Sequence, residues 1–435
     1  MRTVQGIAVG FCLLALAGAA MAQPAKREGT PPAGAAARME RFDPEAATEA
    51  YLARLSPEKR ARSDAYFEGG YWIMLWGFLY GLGVYWLLLA TRLSARMRDF
   101  AERATRVTAL RTLLYVVQYF VVTAVLFFPF ALYTDFFREH QYGMATQDLP
   151  AWLGDQGKAL GVTLVFGGLA LMGLYGVLRK APRTWWLWGA VVALLFLVVG
   201  VALAPVFIQP LFNKYTELED PALRGPILSL ARANGIPAEQ VYVVDASRQT
   251  KRISANVAGL FGTTRIALND NLLKRVSKPG IESVMGHEMG HYVLNHVYES
   301  ILWFAVVLTA GFGFLRWSFE RVRASRGERW GVRGVDDPAG LPLLAALLSV
   351  FFFVLTPLNN TFIRTNEAEA DLFGLNAAQQ PDGFAEVALK LSEYRKLSPG
   401  PVEEWIFYDH PSGRNRILMA MRWKAEHRGK QPPVP

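Results

Sequence analysis

Cysteine is nearly missing from this 435-residue chain, where Cys12 stands alone. A single thiol makes neither an intrachain disulfide nor a thiolate metal cluster, which excludes a disulfide-stapled fold. Histidine is also scarce. Any imidazole site must draw on six residues, His140, His287, His291, His296, His410 and His427. Charge is thin as well, with Asp, Glu, Lys and Arg making up 19% of the residues against about 25% in ordinary globular chains. Six long stretches, about 71–91, 113–134, 159–178, 185–208, 301–315 and 340–363, contain no charged residue and no histidine.

What fills those gaps is apolar. Hydrophobic residues make up 52% of the chain, and the mean hydropathy is +0.17. A membrane span needs about 20 apolar residues, with a range of about 17–25, so five stretches qualify outright. The fifth in order, 301–315, is short and is expected to borrow length upstream from 292–297. Trp and Tyr flank several spans (Tyr71, Trp72, Trp185, Trp186, Trp303), as interfacial anchors do. The first 22 residues have a basic start at Arg2, an apolar middle and an Ala20-Met21-Ala22 exit. They read as a signal peptide or as a first anchor.

The net charge of +9 raises the question of an acidic partner, and its positions answer it. Loops 92–112, 179–184 and 319–339 hold fourteen Arg and Lys, whereas the alternate loop 135–158 holds two. The positive-inside rule places the basic loops in the cytoplasm. Nucleic acid is not needed to explain the excess.

Between the fourth and fifth spans lies a polar insert. Its spacing predicts a helix over 221–234 and strands over 240–244, 254–260 and 265–269. A further helix should start near Pro279 and run unbroken into the fifth span. That helix carries Gly286-His287-Glu288-Met289-Gly290-His291. In H-E-x-x-H the two imidazoles return to one helix face, where they hold a single zinc ion beside Glu288 as general base. On a continuous helix His296 would point away, as a surface or interface histidine. A zinc protease needs a third protein ligand. After the sixth span, Glu367 and Asp371 share a helix face, one carboxylate for the metal and the other for a ligand imidazole. Glu369, two positions on, should be solvated, and Arg364 should pair with a nearby carboxylate. The tail to residue 427 reads as helices broken at Pro381, 398–401 and Pro411.

H-E-x-x-H, then R-x-x-E-x-x-A-D over 364–371 after an intervening span, then His410-Pro411 and Arg416, resembles the zinc-dependent (type I) CAAX prenyl proteases. The strand residues 241–244, 254–256 and 265–268 resemble the same family, and the likeness covers about 50–425. The resemblance implies a mainly α, multi-span membrane protein, a ring of transmembrane helices with a zincin-type metalloprotease domain carrying a small β-sheet. It implies one zinc ion per chain on His287, His291 and Glu367, with Glu288 catalytic and Asp371 supporting a histidine. It also implies that Asn256, with Ala258, holds substrate, and that His410 and Arg416 stabilise the oxyanion. Val257 and Ala258 stand where the family has aromatic residues.

The chain then divides into a signal or anchor (1–22), a spacer with an amphipathic helix (23–66) and four spans (67–213). The first protease segment (214–300), two spans (301–363), the second protease segment (364–427) and a tail (428–435) follow. The expected partners are the bilayer and peptide or protein substrates, lipidated or membrane-embedded ones included. The expected location is a bacterial inner membrane with the zinc domain on the periplasmic side. Two rival readings remain: a quality-control membrane metalloprotease without prenyl specificity, and a transporter or inactive scaffold. Charged residues within spans mark transport pathways, and these spans have none.

Overall fold

The computed structural model describes residues 42–258 and 264–427; the segment read as a signal peptide lies outside them. Helix α1 (Pro44–Leu52) leads into α2 (Pro57–Ala90), the first span, whose start is fixed by the Ser56 hydroxyl accepting from the Lys59 amide. An amphipathic α3 (Leu93–Ala104) follows. The next three spans are α4 (Thr108–Gln141), α5 (Leu149–Lys180) and α6 (Trp185–Leu211). Pro129 removes an amide from the α4 ladder, and a π-helical segment, Leu132–Phe137, takes up the disruption.

The polar insert opens with a short strand that sequence reading missed, β1 (Tyr215–Glu217), and then α7 (Pro221–Ala233). Strands β2 (Val241–Val244), β3 (Ala255–Ala258) and β4 (Arg265–Asn269) complete a mixed sheet in the order β1-β2-β4-β3. Within it β2 and β4 run parallel, while β3 pairs antiparallel with β4 and puts Asn256 opposite Ala267. Helices α8 (Asp270–Arg275) and α9 (Lys278–Val293) follow, each capped by the residue before it, Asn269 and Ser277.

The expected continuous helix is broken here. α9 stops at Val293, Asn295 takes a left-handed conformation (φ +63°), and α10 (His296–Trp330) starts afresh. Asparagine tolerates that conformation better than most residues, so the sequence carries the break without a Gly or Pro. The fifth span therefore gains only 296–300 upstream, short of the expected start at 292, and takes most of its extra length downstream, to Trp330. The sixth apolar stretch also bends, by 57° between Pro338–Val354 and Thr356–Ala378. Its two arms are α11 (Leu341–Val354) and α12 (Thr356–Ala378). Helices α13 (Pro381–Leu391), α14 (Pro401–Phe407) and α15 (Gly413–His427) close the chain.

Two large cores result. One lies among the spans, around Leu88, Tyr115, Tyr175, Phe312 and Phe319. The other joins sheet and metal helix through Ile227, Val241, Ile266, Leu268, Met285 and Met289. Between spans and protease domain lies a cavity of about 1130 Å³ that includes Phe78, Asp135, Asp155, Phe352, Asn256 and His410 in its wall.

Candidate metal centre

The site exists because two helices approach unusually closely. Gly286 and Gly290 on α9 face Ala370 and Gly374 on α12. A Cβ on Gly374 would lie 2.7 Å from the His287 amide nitrogen, and one on Gly290 would lie 3.1 Å from the Ala370 Cα. This glycine and alanine seam lets backbone meet backbone, so the short Glu367 side chain reaches both imidazoles. The glycines inside G-H-E-x-G-H were visible in the sequence; their partners across the seam were not.

His287 Nε2 and His291 Nε2 lie 3.2 Å apart, and Glu367 places its carboxylate oxygens 3.3 and 3.5 Å from them. One donor atom from each of the three residues falls within 4.8 Å of the others. Glu367 Oε2 is buried and makes no hydrogen bond of acceptable geometry, with His410 Nε2 3.1 Å away. An orphaned buried oxygen beside two convergent imidazole nitrogens fits a divalent cation, and N,N,O donors suit zinc.

Behind His287, Nδ1 lies 2.7 Å from Asp371 Oδ1. Asp371 is fully buried and accepts from Arg416 through Nε (2.8 Å) and Nη2 (2.5 Å). The resemblance makes Arg416 an oxyanion group; here two of its guanidinium nitrogens pair with Asp371 in a bidentate fork, while the residue also lines the small cavity with Glu288 and His410. Arg364 also departs from expectation. It pairs with no carboxylate among the described residues, but donates to the carbonyls of Glu404 and Tyr408 and so ties α14 and the His410 turn to α12.

His296, expected to point away, is 3% exposed and stands directly behind His291, Nδ1 to Nδ1 at 2.9 Å. The break at Asn295 swings it back. Glu369 is largely solvated, as expected, yet its Oε2 reaches His296 Nε2 at 3.3 Å. Pure helical arithmetic could not find this contact, because the arithmetic assumed one helix.

Burial disfavours charge on these groups. It pushes Glu288 up to about 7, and it lowers His291 to about 4, which keeps that imidazole neutral. At His287 burial acts in the same sense, but the hydrogen bonds and charges of Asp371 and Glu367 prevail and raise it to about 10. Glu288 and His287 line a smaller cavity of about 200 Å³ shared with Ala255, Arg395, His410 and Arg416. Ile253, Ser254, Ala255 and His410 also line the large cavity. Among the described residues β3 is an edge strand, packed beside α9. Ala258 ends the described part of that strand.

The chain is similar to known proteins over most of its length. Residues 217–424 match the model of peptidase family M48, and residues 42–214 match that of the CAAX prenyl protease N-terminal region with five membrane helices. The chain is 29% identical to the uncharacterized metalloprotease YhfN of Bacillus subtilis, over 79% of this chain and 82% of that protein. It is 27% identical to CAAX prenyl protease 1 of Saccharomyces cerevisiae, over 66% and 67% respectively. The crystal structure of S. mikatae Ste24p shares the fold, with a TM-score of 0.71 over 87% of this chain and 95% of that one at 22% identity. Among the described residues, five helices are long and apolar enough to cross a membrane, and the bent pair makes up to six. The chain is an integral-membrane metalloendopeptidase and belongs to the CAAX prenyl protease family.

Proposed function

We propose that the protein is a zinc endopeptidase that cleaves extended peptide segments delivered to the membrane-bounded cavity; one of its relatives is named CAAX prenyl protease 1. The observation that carries this reading is the convergence of His287, His291 and Glu367, with His287 and Glu288 lining a small cavity that shares Ser254, Ala255 and His410 with the large one.

Those three residues hold the ion, which when bound polarises the scissile carbonyl and makes a nearby water more acidic. Glu288 takes the proton of the attacking water and passes it to the leaving amine; a carboxyl poised near neutrality suits both transfers. Asp371, clamped by Arg416, fixes the His287 ring. His410 donates to the developing oxyanion, a contribution of about 3–4 kcal/mol in other proteases. Asn256 and its strand, Ala258 included, bind substrate backbone by strand addition. Small residues at Val257 and Ala258 leave that edge open to bulky side chains.

Substrates reach the site from the bilayer, so a lipid or an apolar flank favours binding. The fourteen basic loop residues orient the chain in a bacterial inner membrane with the protease domain in the periplasm. The test is purified protein acting on a prenylated CAAX peptide and its unprenylated twin. Preference for the prenylated peptide supports the reading. Equal turnover would replace it with a general membrane-protein protease, and no turnover of either would overturn peptide cleavage at this site. Reporter fusions after the fourth span check orientation; a signal from the cytoplasmic reporter would reverse it.

A further inference from the structure

The helix break at Asn295, just after the metal helix, has a chemical consequence. Asn295 turns the backbone, and the first residue of α10, His296, is brought back under His291. The two rings meet edge to face, with centroids 5.0 Å apart at 70° and Nδ1 to Nδ1 at 2.9 Å. The far nitrogen of His296 lies 3.3 Å from Glu369 Oε2. Glu369 comes from α12, two residues beyond Glu367, so its backbone is held by the same glycine seam that sets the centre.

The proton positions follow by elimination. His291 turns Nε2 toward His287 and Glu367, so with a metal in place its proton resides on Nδ1. The atom within reach of that proton is His296 Nδ1, which accepts it only as a bare lone pair. The proton of a neutral His296 then resides on Nε2, the atom that faces Glu369. Carboxylate, imidazole and imidazole thus form one directional chain ending at a metal ligand.

We infer that His296 and Glu369 are a positioning pair for the second metal ligand. His296 accepts the Nδ1 proton of His291 and locks its tautomer and ring orientation, and Glu369 in turn locks the tautomer of His296. The inference rests on the reading that His287, His291 and Glu367 hold the ion. It makes the two imidazole arms unequal. His287 is backed directly by a sealed carboxylate, whereas His291 is backed by a neutral ring whose own carboxylate is half exposed. A neutral acceptor raises ligand basicity less than a carboxylate does, so the His291 arm is the weaker one and the first to let go.

The test measures zinc binding on the full-length protein in detergent, by competition with a chromophoric chelator and by the rate of zinc release. His296→Phe fills the space but offers no acceptor. It should weaken zinc binding about 10- to 100-fold, the usual effect of losing such a partner, and speed release. His296→Gln supplies an amide oxygen and should recover most of the loss. Glu369→Ala should weaken binding a few-fold and add little on top of His296→Phe, because both act through one chain. The unfolding temperature of the zinc-free protein should stay constant across the series. Unchanged affinity in His296→Phe overturns the inference, as does a loss that tracks zinc-free stability and is not recovered by glutamine. His287→Ala is the control: if it also leaves zinc binding intact, the metal-site reading itself fails, and that outcome is distinct from failure of the positioning pair.

Discussion

The spans and the protease domain are built inside out relative to one another. Among the spans, Trp72, Trp86, Val125 and Leu302 stand on the outer surface, while Asp135 and Asp155 line the cavity within. In the protease domain, Ile266, Leu268 and Met289 are sealed away, and the charges that are buried, Asp371 and Arg416, are paired. The surrounding solvent decides which arrangement is stable. Lipid tolerates exposed apolar surface and leaves no water for stray polar groups, whereas water rewards apolar burial and makes an unpaired buried charge costly. A substitution should therefore act according to the half of the molecule it strikes, and four measurements check this.

The largest effect belongs to chemistry confined to the protease half. Glu288→Gln removes the proton acceptor while leaving all three donor residues in place. Peptidase activity should fall at least about 10²–10⁴-fold, with zinc content by elemental analysis unchanged. Full activity in this variant would end the proposed mechanism, and loss of zinc would make Glu288 a part of the metal-holding set.

Next comes the buried ion pair. Asp371 is fully buried between Arg416 and His287. Asp371→Ala strands a guanidinium in an apolar interior and should destabilise the protease half by about 3–5 kcal/mol, the usual penalty for removing one partner of such a pair. Thermal unfolding followed by a protease-domain probe reads this. No change in the transition would mean that water, and not Asp371, satisfies Arg416.

These two predictions rest on residues that were legible in the sequence, and the reason is geometric. H-E-x-x-H and the Glu367–Asp371 pair each lie within one helical turn, so fixed periodicity alone puts them on common faces. The spans were legible because hydrocarbon thickness sets a length that composition must meet. Local rules gave no hold on what depends on a break or on a partner far along the chain. The return of His296 required knowing that Asn295 adopts φ +63°. The union of α9 with α12 required pairing Gly290 with Ala370 and Gly374 with His287, some 80 residues apart. The bidentate clamp on Asp371 required placing Arg416 from a helix 45 residues downstream. Strand β1 was missed because its three residues, Tyr215–Glu217, are too few to show an alternation.

Metal removal should separate the two halves without any mutation. A ligand that binds only the folded state stabilises it by about 2.7 kcal/mol at a free concentration 100 times its Kd. Chelation should accordingly lower the unfolding transition of the protease half, abolish activity, and leave the helix content of the spans unchanged by circular dichroism at intermediate temperatures. Re-addition of zinc should restore both. A single transition that shifts as a whole would show that spans and domain unfold as one unit, joined through the bent pair α11 and α12.

The smallest effect is the sharpest check on the inside-out comparison, because it is read on one helix. Leu302 and Leu308 both lie on α10 and differ by six residues, yet the first is 69% exposed and the second is packed in the core among the spans. Leu308→Ala leaves a cavity beside Phe312 and should cost about 2–5 kcal/mol. Leu302→Ala only shortens a side chain facing lipid, which closes over the gap at once, so the change should stay within about 0.5 kcal/mol. In an aqueous protein an exposed leucine would also be cheap to remove, so magnitude alone does not establish the lipid. The discriminating variant is Leu302→Asp. In water that surface would accept a carboxylate freely, whereas in a bilayer an aspartate costs up to about 2.5–3.5 kcal/mol at the centre of a span and less toward the interface, where Leu302 lies. Measured in liposomes, a penalty for Leu302→Asp beside near-neutrality of the alanine would fix this face of α10 against hydrocarbon; tolerance of both would turn it toward water.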